Sequence, residues 1–600
     1  MKQTFEYLSE SIQTGELARF ADGAVLFKED DTVILATVVS DKKPKDDDFL
    51  PLTVQYIEKA YAAGKFPGGF IKRESKPSDF EVLTSRIIDR SLRPLFPKGY
   101  CYETQITVMV LSCDDNADLQ KCALNAAAAA LYISDLPVDK LIRGVRIAKQ
   151  DGKFTVNPKL SDLSSGALDM FVAGNAHDIA MIEMQAKGNY SVSIEPNFGF
   201  ADPLMGMPPV DDVISTYNTN EVTEDELIEA LTLAQNTINS ESKIAGEALI
   251  KAKKPVRSFE LKTSNISEEL KAFVLANYKT HLEGAITESA KSERSSAIDN
   301  VKKEILKEAS VIALNLSHDD ADYTIDYVKR MLLRGLILEH GKRPDGRGLT
   351  EIRPITIQTN ILPKAHGSAV FTRGQTQALA ITTLGSENDR QSYELLTSSN
   401  SSNEKFTLHY NFPGFSVGEA DRIGPPGRRE LGHGNLAKRA LECLIAPEFE
   451  QTIRVVSEIL ESNGSSSMAT VCAGALAMKS ANVPLVKLAS GIAMGLVKEE
   501  SGYAILSDII GLEDYDGDMD FKIAGTRDGV TAMQLDIKLG GLDFELLKNA
   551  LNQAKEGRLH ILNIMESAEI NVNHAALPSH EIFHIDASKI VDIIGQAGKT

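Results

Sequence analysis

The 600-residue chain has no tryptophan and only five cysteines, and its 64 basic residues are outnumbered by 84 acidic ones. Each shortage excludes something. The cysteines, Cys101, Cys113, Cys122, Cys443 and Cys472, are odd in number, lie mostly in apolar segments and never form a Cys-x-x-Cys pair, so they read as reduced core residues. No run of about 18 apolar residues occurs. The N-terminal MKQTFEYLSESIQTGE also lacks the charged-then-apolar layout of a signal peptide. A cytoplasmic protein with no membrane contact is expected. A formal charge of −20 repels a polyanion at long range, which argues against non-specific coating of nucleic acid. Any such contact must use local basic patches, and two exist, at 65–76 and 422–439, both rich in glycine and proline. By themselves they read equally well as solvated loops.

What the chain does have is length and repetition. With 43% hydrophobic residues it can bury several cores, roughly three to five domains at about 150 residues each. DGAVLFKEDDTVILATV (22–38) matches HGSAVFTRGQTQALAIT (366–382) without a gap, Thr32 falling on Thr376. YETQITVMVLSCDDN (102–116) parallels FEQTIRVVSEILESN (449–463), and each leads into a helix of small residues. Val172-Ala173-Gly174 then sets against Ile523-Ala524-Gly525. Three blocks in one order, with alternating strands followed by helices, predict a mixed α/β (α+β) core present twice. The expected domains are a first core at 1–221, an all-helical insert at 222–330 and a second core at 331–565. The insert opens on a capping box at Thr223 and Glu226. A new pattern begins at 580–600.

Three constellations in the second copy carry chemistry. Asn463-Gly464-Ser465-Ser466-Ser467 lies between a strand and a helix, where a glycine turn, serine hydroxyls and free helix N–H groups can hold an anion. Alone, it reads first as an ordinary serine N-cap. The first copy, however, has Asp114-Asp115-Asn116-Ala117-Asp118 there, which would repel phosphate. Next, Asp514, Asp518, Asp520 and Lys522 alternate so that the last three share one strand face, with Asp514 reaching in from the preceding loop. Clustered carboxylates suit Mg²⁺ or Mn²⁺, and a solvated acidic turn is the alternative. An EF-hand fails, because Met519 and Gly525 stand where glycine and glutamate are required. Finally, Arg428 and Arg429 offer fork-shaped phosphate donors, with His433 one helical turn beyond. An anion cradle, a metal and cationic clamps are the parts of a phosphoryl-transfer site.

Arg343-Pro-Asp-Gly-Arg347, GSAVFTRGQTQ, GRRELGHG, ESNGSSSMA and GDMDFK together resemble the second ribonuclease PH-type core of the polynucleotide phosphorylase family. FPGGFIKRESKPSDFEVLTSRIIDRSLRPLFP resembles that family's first core. The resemblance implies a homotrimeric ring threading single-stranded RNA towards sites in the second cores, and reversible phosphorolysis of its 3′ end to nucleoside diphosphates, in mRNA degradation and RNA processing. It implies that Ser465, Ser466 and Ser467 hold inorganic phosphate and that Asp514, Asp520 and Lys522 form the Mg²⁺ (or Mn²⁺) site. Arg428, Arg429 and His433 would steady the RNA end, and Phe70, Lys72, Arg73 and Lys76 would bind RNA at the channel entrance. Partners in an RNA-degradation complex would follow. Where the family has two aromatics and two arginines, this chain has Phe70-Ile71-Lys72-Arg73, and isoleucine offers no face for base stacking. The tail Ile593-Ile594-Gly595-Gln596-Ala597-Gly598 resembles the GXXG loop of a KH domain, with Gly595 and Gly598 at the backbone of RNA, and suggests a chain cut early in that domain. A hydrolytic 3′ exonuclease would not need the serine turn, and a catalytically dead RNA-binding ring would not need an intact second copy.

Overall fold

The computed structural model describes residues 2–45, 49–68, 70–74, 76–195, 212–262, 265–288, 290–397, 401–537, 544–578, 585–590 and 592. In the first copy, strand Thr32–Ser40 (TVILATVVS) alternates buried and partly exposed residues, as a β-branched strand with one face on a core must. It lies between Gly23–Glu29 and Thr104–Ser112 in a six-stranded sheet. The second copy places Thr376–Gly385 between Gly367–Arg373 and Thr452–Glu461 in a five-stranded sheet. Both sheets end on a parallel pair, Leu52–Glu58 beside Thr104–Ser112 and Phe406–Asn411 beside Thr452–Glu461.

Register fixes the duplication residue by residue. Val38 pairs with Ile106 and Thr382 with Val455, so the outgoing strands correspond at a separation of 349, two more than the ungapped sequence match gives. The helices that follow, Leu119–Tyr132 and Ser466–Ser480, correspond at 347, since Gly23 packs on the Ala130 carbonyl as Gly367 does on that of Ala477. A Cβ on either glycine would approach that oxygen to 2.1 or 2.4 Å. Both helices are buried almost throughout, which is why they are built of small residues. The two-residue difference is absorbed in the turn before the helix, making Asp118 and Ser465 equivalent N-caps.

The remaining strands of the two copies join edge to edge in one eight-stranded antiparallel sheet. At the joint Ile179–Ala186 pairs with Val530–Ile537, Met184 opposite Met533. This joint also brings helix Asp79–Leu92 of the first copy onto helix Arg428–Glu442 of the second.

The insert is helical. Thr223 and Glu226 make the reciprocal capping bonds that open helix Glu224–Leu249, which packs on the main core rather than apart from it. A small separate core of Leu270, Val274, Leu282, Ile305 and Ile325 holds the helices that follow, and the last, His318–His340, runs past the boundary expected at 330. Gly595 and Gly598 lie outside the described residues.

Candidate active site

The serine turn is not an ordinary N-cap. Ser465 stands in the left-handed region (φ 64°, ψ 27°) and its side chain makes no cap bond to helix Ser466–Ser480. Gly464 (φ 86°) passes so close to Ile509–Gly511 that an added Cβ would lie 2.9 Å from their backbone, so only glycine allows the turn. The Ser465 hydroxyl accepts from Arg373 at 2.7 Å, Ser466 Oγ lies 2.8 Å from the Tyr410 hydroxyl, and the buried Ser467 hydroxyl has no partner among the described residues. The N–H groups of the first helical turn, which no intrahelical bond can satisfy, are left to an incoming anion.

Buried ion pairs hold this turn in place. Asp508, fully buried, accepts from Arg353 (2.6 and 2.8 Å) and pairs with Arg373 at 3.0 Å. Burial alone would raise its carboxyl, but the guanidiniums of Arg353 and Arg373 hold it well below the usual carboxylate range. Arg353 also donates to the Asn463 carbonyl at 3.0 Å. Arg343, from the Arg-Pro-Asp-Gly-Arg run, donates to Glu513 at 2.7 Å and to the carbonyl of Asp508 at 2.9 Å. It thereby fixes helix Gly511–Asp516, which carries Asp514. Asn463 Oδ1 accepts from Gly511 N at 3.3 Å and ties that helix to the serine turn. Asp514 therefore belongs to a short helix, not to the loop expected.

Helix Arg428–Glu442 places Arg428 and Arg429 at its exposed start and His433 one turn inward. Arg429 lies over the Phe412 ring at 6.0 Å, and Tyr410 meets His433 edge-on at 5.3 Å. His433 is buried, and its Nδ1 has no protein partner. Burial first, then the charges of Lys522, Arg429, Arg86 and Arg90, push its imidazole well below the ordinary range, so it is neutral at pH 7. His433 thus lies behind the two arginines as a buried imidazole, and its expected part in steadying the RNA end stays a proposal.

Asp520 and Lys522, on strand Met519–Gly525, form an ion pair, and Asp520 faces Asp536 across the ladder. Asp518 does not share their cleft. It precedes the strand, is buried, and is held by Arg334 (2.8 Å) and the Lys498 amide (2.8 Å). Among the described residues no group of three His, Cys, Asp or Glu side chains is placed to hold a metal. Mg²⁺ commonly takes only one or two protein carboxylates and completes its shell with substrate phosphates and water, so the pair Asp514 and Asp520 expected from the sequence stays a proposal.

The first copy shows what an occupied counterpart looks like. Asp118 caps its helix, accepting from Lys121 N at 3.2 Å, and also accepts from Arg146 Nε at 2.7 Å. Arg146 reaches Asp169, the counterpart of Asp520, at 2.5 Å and lies over Phe171, the counterpart of Lys522. One guanidinium ties the helix cap Asp118 to Asp169.

Two residues of the first copy, unmarked in the sequence reading, enter the second copy's site. Arg86 lies against Gly432, with its buried Nε unpartnered, and Arg90 donates to Asp536 at 2.6 Å. Their i, i+4 spacing puts them on one helix face, but only the joint between copies shows where that face points. Tyr410 was also missed. Phe70 is fully exposed and Ile71, Lys72, Arg73 and Lys76 are exposed, while Lys65 anchors this loop to the carbonyls of Leu395 (3.1 Å) and Leu396 (3.3 Å) of the second copy.

Comparison with known proteins agrees with this architecture. The profile described as "3' exoribonuclease family, domain 1" matches residues 6–137 and again 351–484, and "Polyribonucleotide nucleotidyltransferase, RNA binding domain" matches 269–348. The chain is 56% identical to the polyribonucleotide nucleotidyltransferase of Campylobacter jejuni (strain RM1221), over 99% of this chain and 81% of that protein. Identity to the Wolinella succinogenes enzyme of the same name is 56%, over the same shares. To that of Nitratiruptor sp. it is 52%, over 100% of this chain and 82% of that protein. With its two exoribonuclease-family cores flanking a helical insert, the chain belongs to the polyribonucleotide nucleotidyltransferase family.

Proposed function

We infer that this chain shortens single-stranded RNA from its 3′ end by phosphorolysis, releasing nucleoside diphosphates, and that it extends RNA from nucleoside diphosphates in reverse. The observation that carries the reading is the difference between the two helix starts: uncapped beside cations in the second copy, capped and filled by Arg146 in the first.

Orthophosphate seats on the first turn of helix Ser466–Ser480, where the Ser466 and Ser467 hydroxyls and the helix N–H groups orient one oxygen in line with the terminal phosphodiester. Tyr410 fixes the Ser466 hydroxyl, and Arg428 and Arg429 offset charge on the RNA phosphates. Asp514 and Asp520 would hold Mg²⁺ or Mn²⁺, which when bound offsets charge on both anions. Neutral His433 and the cations around it shape the wall behind the reacting groups. The reading extends to a cytoplasmic homotrimer with RNA entering past Phe70, Lys72, Arg73 and Lys76. No described helix is long and apolar enough to cross a membrane.

The test is to incubate the chain with an oligoribonucleotide and Mg²⁺, with and without phosphate. Nucleoside diphosphates appearing only with phosphate are expected; monophosphates released without it would mean hydrolysis.

A further inference from the structure

The helical insert touches the serine turn through one side chain that the reaction, as described, does not use. Lys291 begins helix Lys291–Lys307, and its ammonium donates to the Ser462 carbonyl at 2.8 Å, one residue before the turn. Its backbone N–H donates to Gln375 Oε1 at 3.1 Å, and the same oxygen takes the Asn463 amide at 2.9 Å. The lysine is therefore fixed against the phosphate cradle at two points.

Lys291 is partly buried, yet among the described residues no carboxylate lies within 4.0 Å of it. The charged groups that act on it are Glu419 and Arg429. Burial lowers its pKa, Glu419 raises it and Arg429 lowers it. A sheltered ammonium without a hydrogen-bonded anion is costly. Lys291 spends one donor of three on a neutral carbonyl, and two remain. Lys291 and the open start of helix Ser466–Ser480 thus bring an ammonium and backbone N–H groups to the two ends of the serine turn, with Glu419 as the carboxylate that acts on the lysine.

We propose that Lys291 is a further phosphate-binding residue: its ammonium contacts the attacking orthophosphate, and in the reverse reaction the terminal phosphate of the nucleoside diphosphate. This rests on the phosphorolytic reading above. It gives the helical insert a direct part in the active site of the second core, and it makes phosphate affinity depend on the insert being docked.

The test compares Lys291→Gln, which keeps an amide donor for Ser462 but loses the charge, with Lys291→Arg, which keeps the charge. KM for phosphate in phosphorolysis, KM for ADP in polymerisation, kcat, phosphate-free RNA binding and thermal unfolding are measured for each. Lys291→Gln should raise both KM values about tenfold, as loss of one charge-assisted contact commonly does, with kcat and RNA affinity within about threefold of the parent. Lys291→Arg should recover most of the KM. Unchanged KM values in a Lys291→Gln protein would overturn the proposal, whether kcat and thermal stability fall, leaving a mere anchor, or not. So would a loss confined to RNA affinity, which would make Lys291 an RNA contact. A parent that releases no nucleoside diphosphate with phosphate would refute the phosphorolytic reading itself, a result distinct from either.

Discussion

Arg146 donates to Asp169 at 2.5 Å inside the first copy, and the residue that takes the place of Arg146 in the second copy is Ala493, opposite Lys522 on the neighbouring strand. Without that guanidinium Asp520 pairs with Lys522 instead, and the helix start at Ser465 has no side-chain cap. Arg146→Met should therefore not awaken the first copy. It leaves Asp118 and Asp169 part-buried without the guanidinium, a loss below the about 3–5 kcal/mol of a broken fully buried pair, since Lys121 N and Lys187 remain beside them. Thermal unfolding should shift down while phosphorolysis per folded molecule stays at the parental level; a gain in turnover would show that the first copy is merely blocked.

The same contrast separates two aspartates by their effects. Asp520→Asn should lower phosphorolysis by at least about a hundredfold, because it removes a charge that the metal and Lys522 both need. Asp115→Asn, in the first copy's longer turn, should leave kcat/KM within about twofold. Equal losses in the two variants would mean that both copies are active.

The duplication was legible because strands such as TVILATVVS carry their period in the sequence, and the serine turn stood out because its counterpart is acidic. Two things were not legible. Asp518 alternates with Asp520 and Lys522, yet the strand begins only at Met519, so the alternation rule was applied one residue too early and missed the buried pair with Arg334. Arg86 and Arg90 reach the site only because Ile179–Ala186 and Val530–Ile537 pair across the two copies, a long-range contact that no local pattern encodes.

Asp508 should govern part of the acid stability. Its carboxyl is held below the unfolded value of about 3.9 by Arg353 and Arg373 against the cost of burial, so the native state favours the ionised form. That stabilisation is fully present above about pH 4 and is lost as pH falls through the folded value. Asp508→Asn should be less stable at neutral pH and should show a shallower decline in unfolding midpoint between about pH 4 and 2. Parallel declines in parent and variant would contradict this.

His433 makes a second test of the same sign at higher pH, since its imidazole is pushed below the ordinary value of about 6.5 by burial and then by Lys522, Arg429, Arg86 and Arg90. The unfolded chain takes up a proton there first. Stability that is present above about pH 6.5 should therefore fall as pH drops towards 5, and His433→Asn should weaken that slope. Because the group stays neutral, kcat should show no limb near pH 6.5 that disappears in the variant.

The serine pair separates phosphorolysis from hydrolysis. Ser466 Oγ is set by Tyr410 at 2.8 Å, and the Ser467 hydroxyl has no partner among the described residues, so together they are the side-chain donors that orthophosphate can complete. Replacing both by alanine leaves Gly464, the Arg373 contact to Ser465, and the ion pairs around Asp508 in place. Loss of a single transition-state donor commonly costs about 10²–10³ in rate. Ser466→Ala with Ser467→Ala should accordingly reduce phosphate-dependent release of nucleoside diphosphates by at least about a hundredfold, and polymerisation alongside it, because the two directions share one transition state. RNA binding through Arg428, Arg429 and the loop at Phe70 should persist. A double variant that degrades RNA at the parental rate would place the phosphate elsewhere.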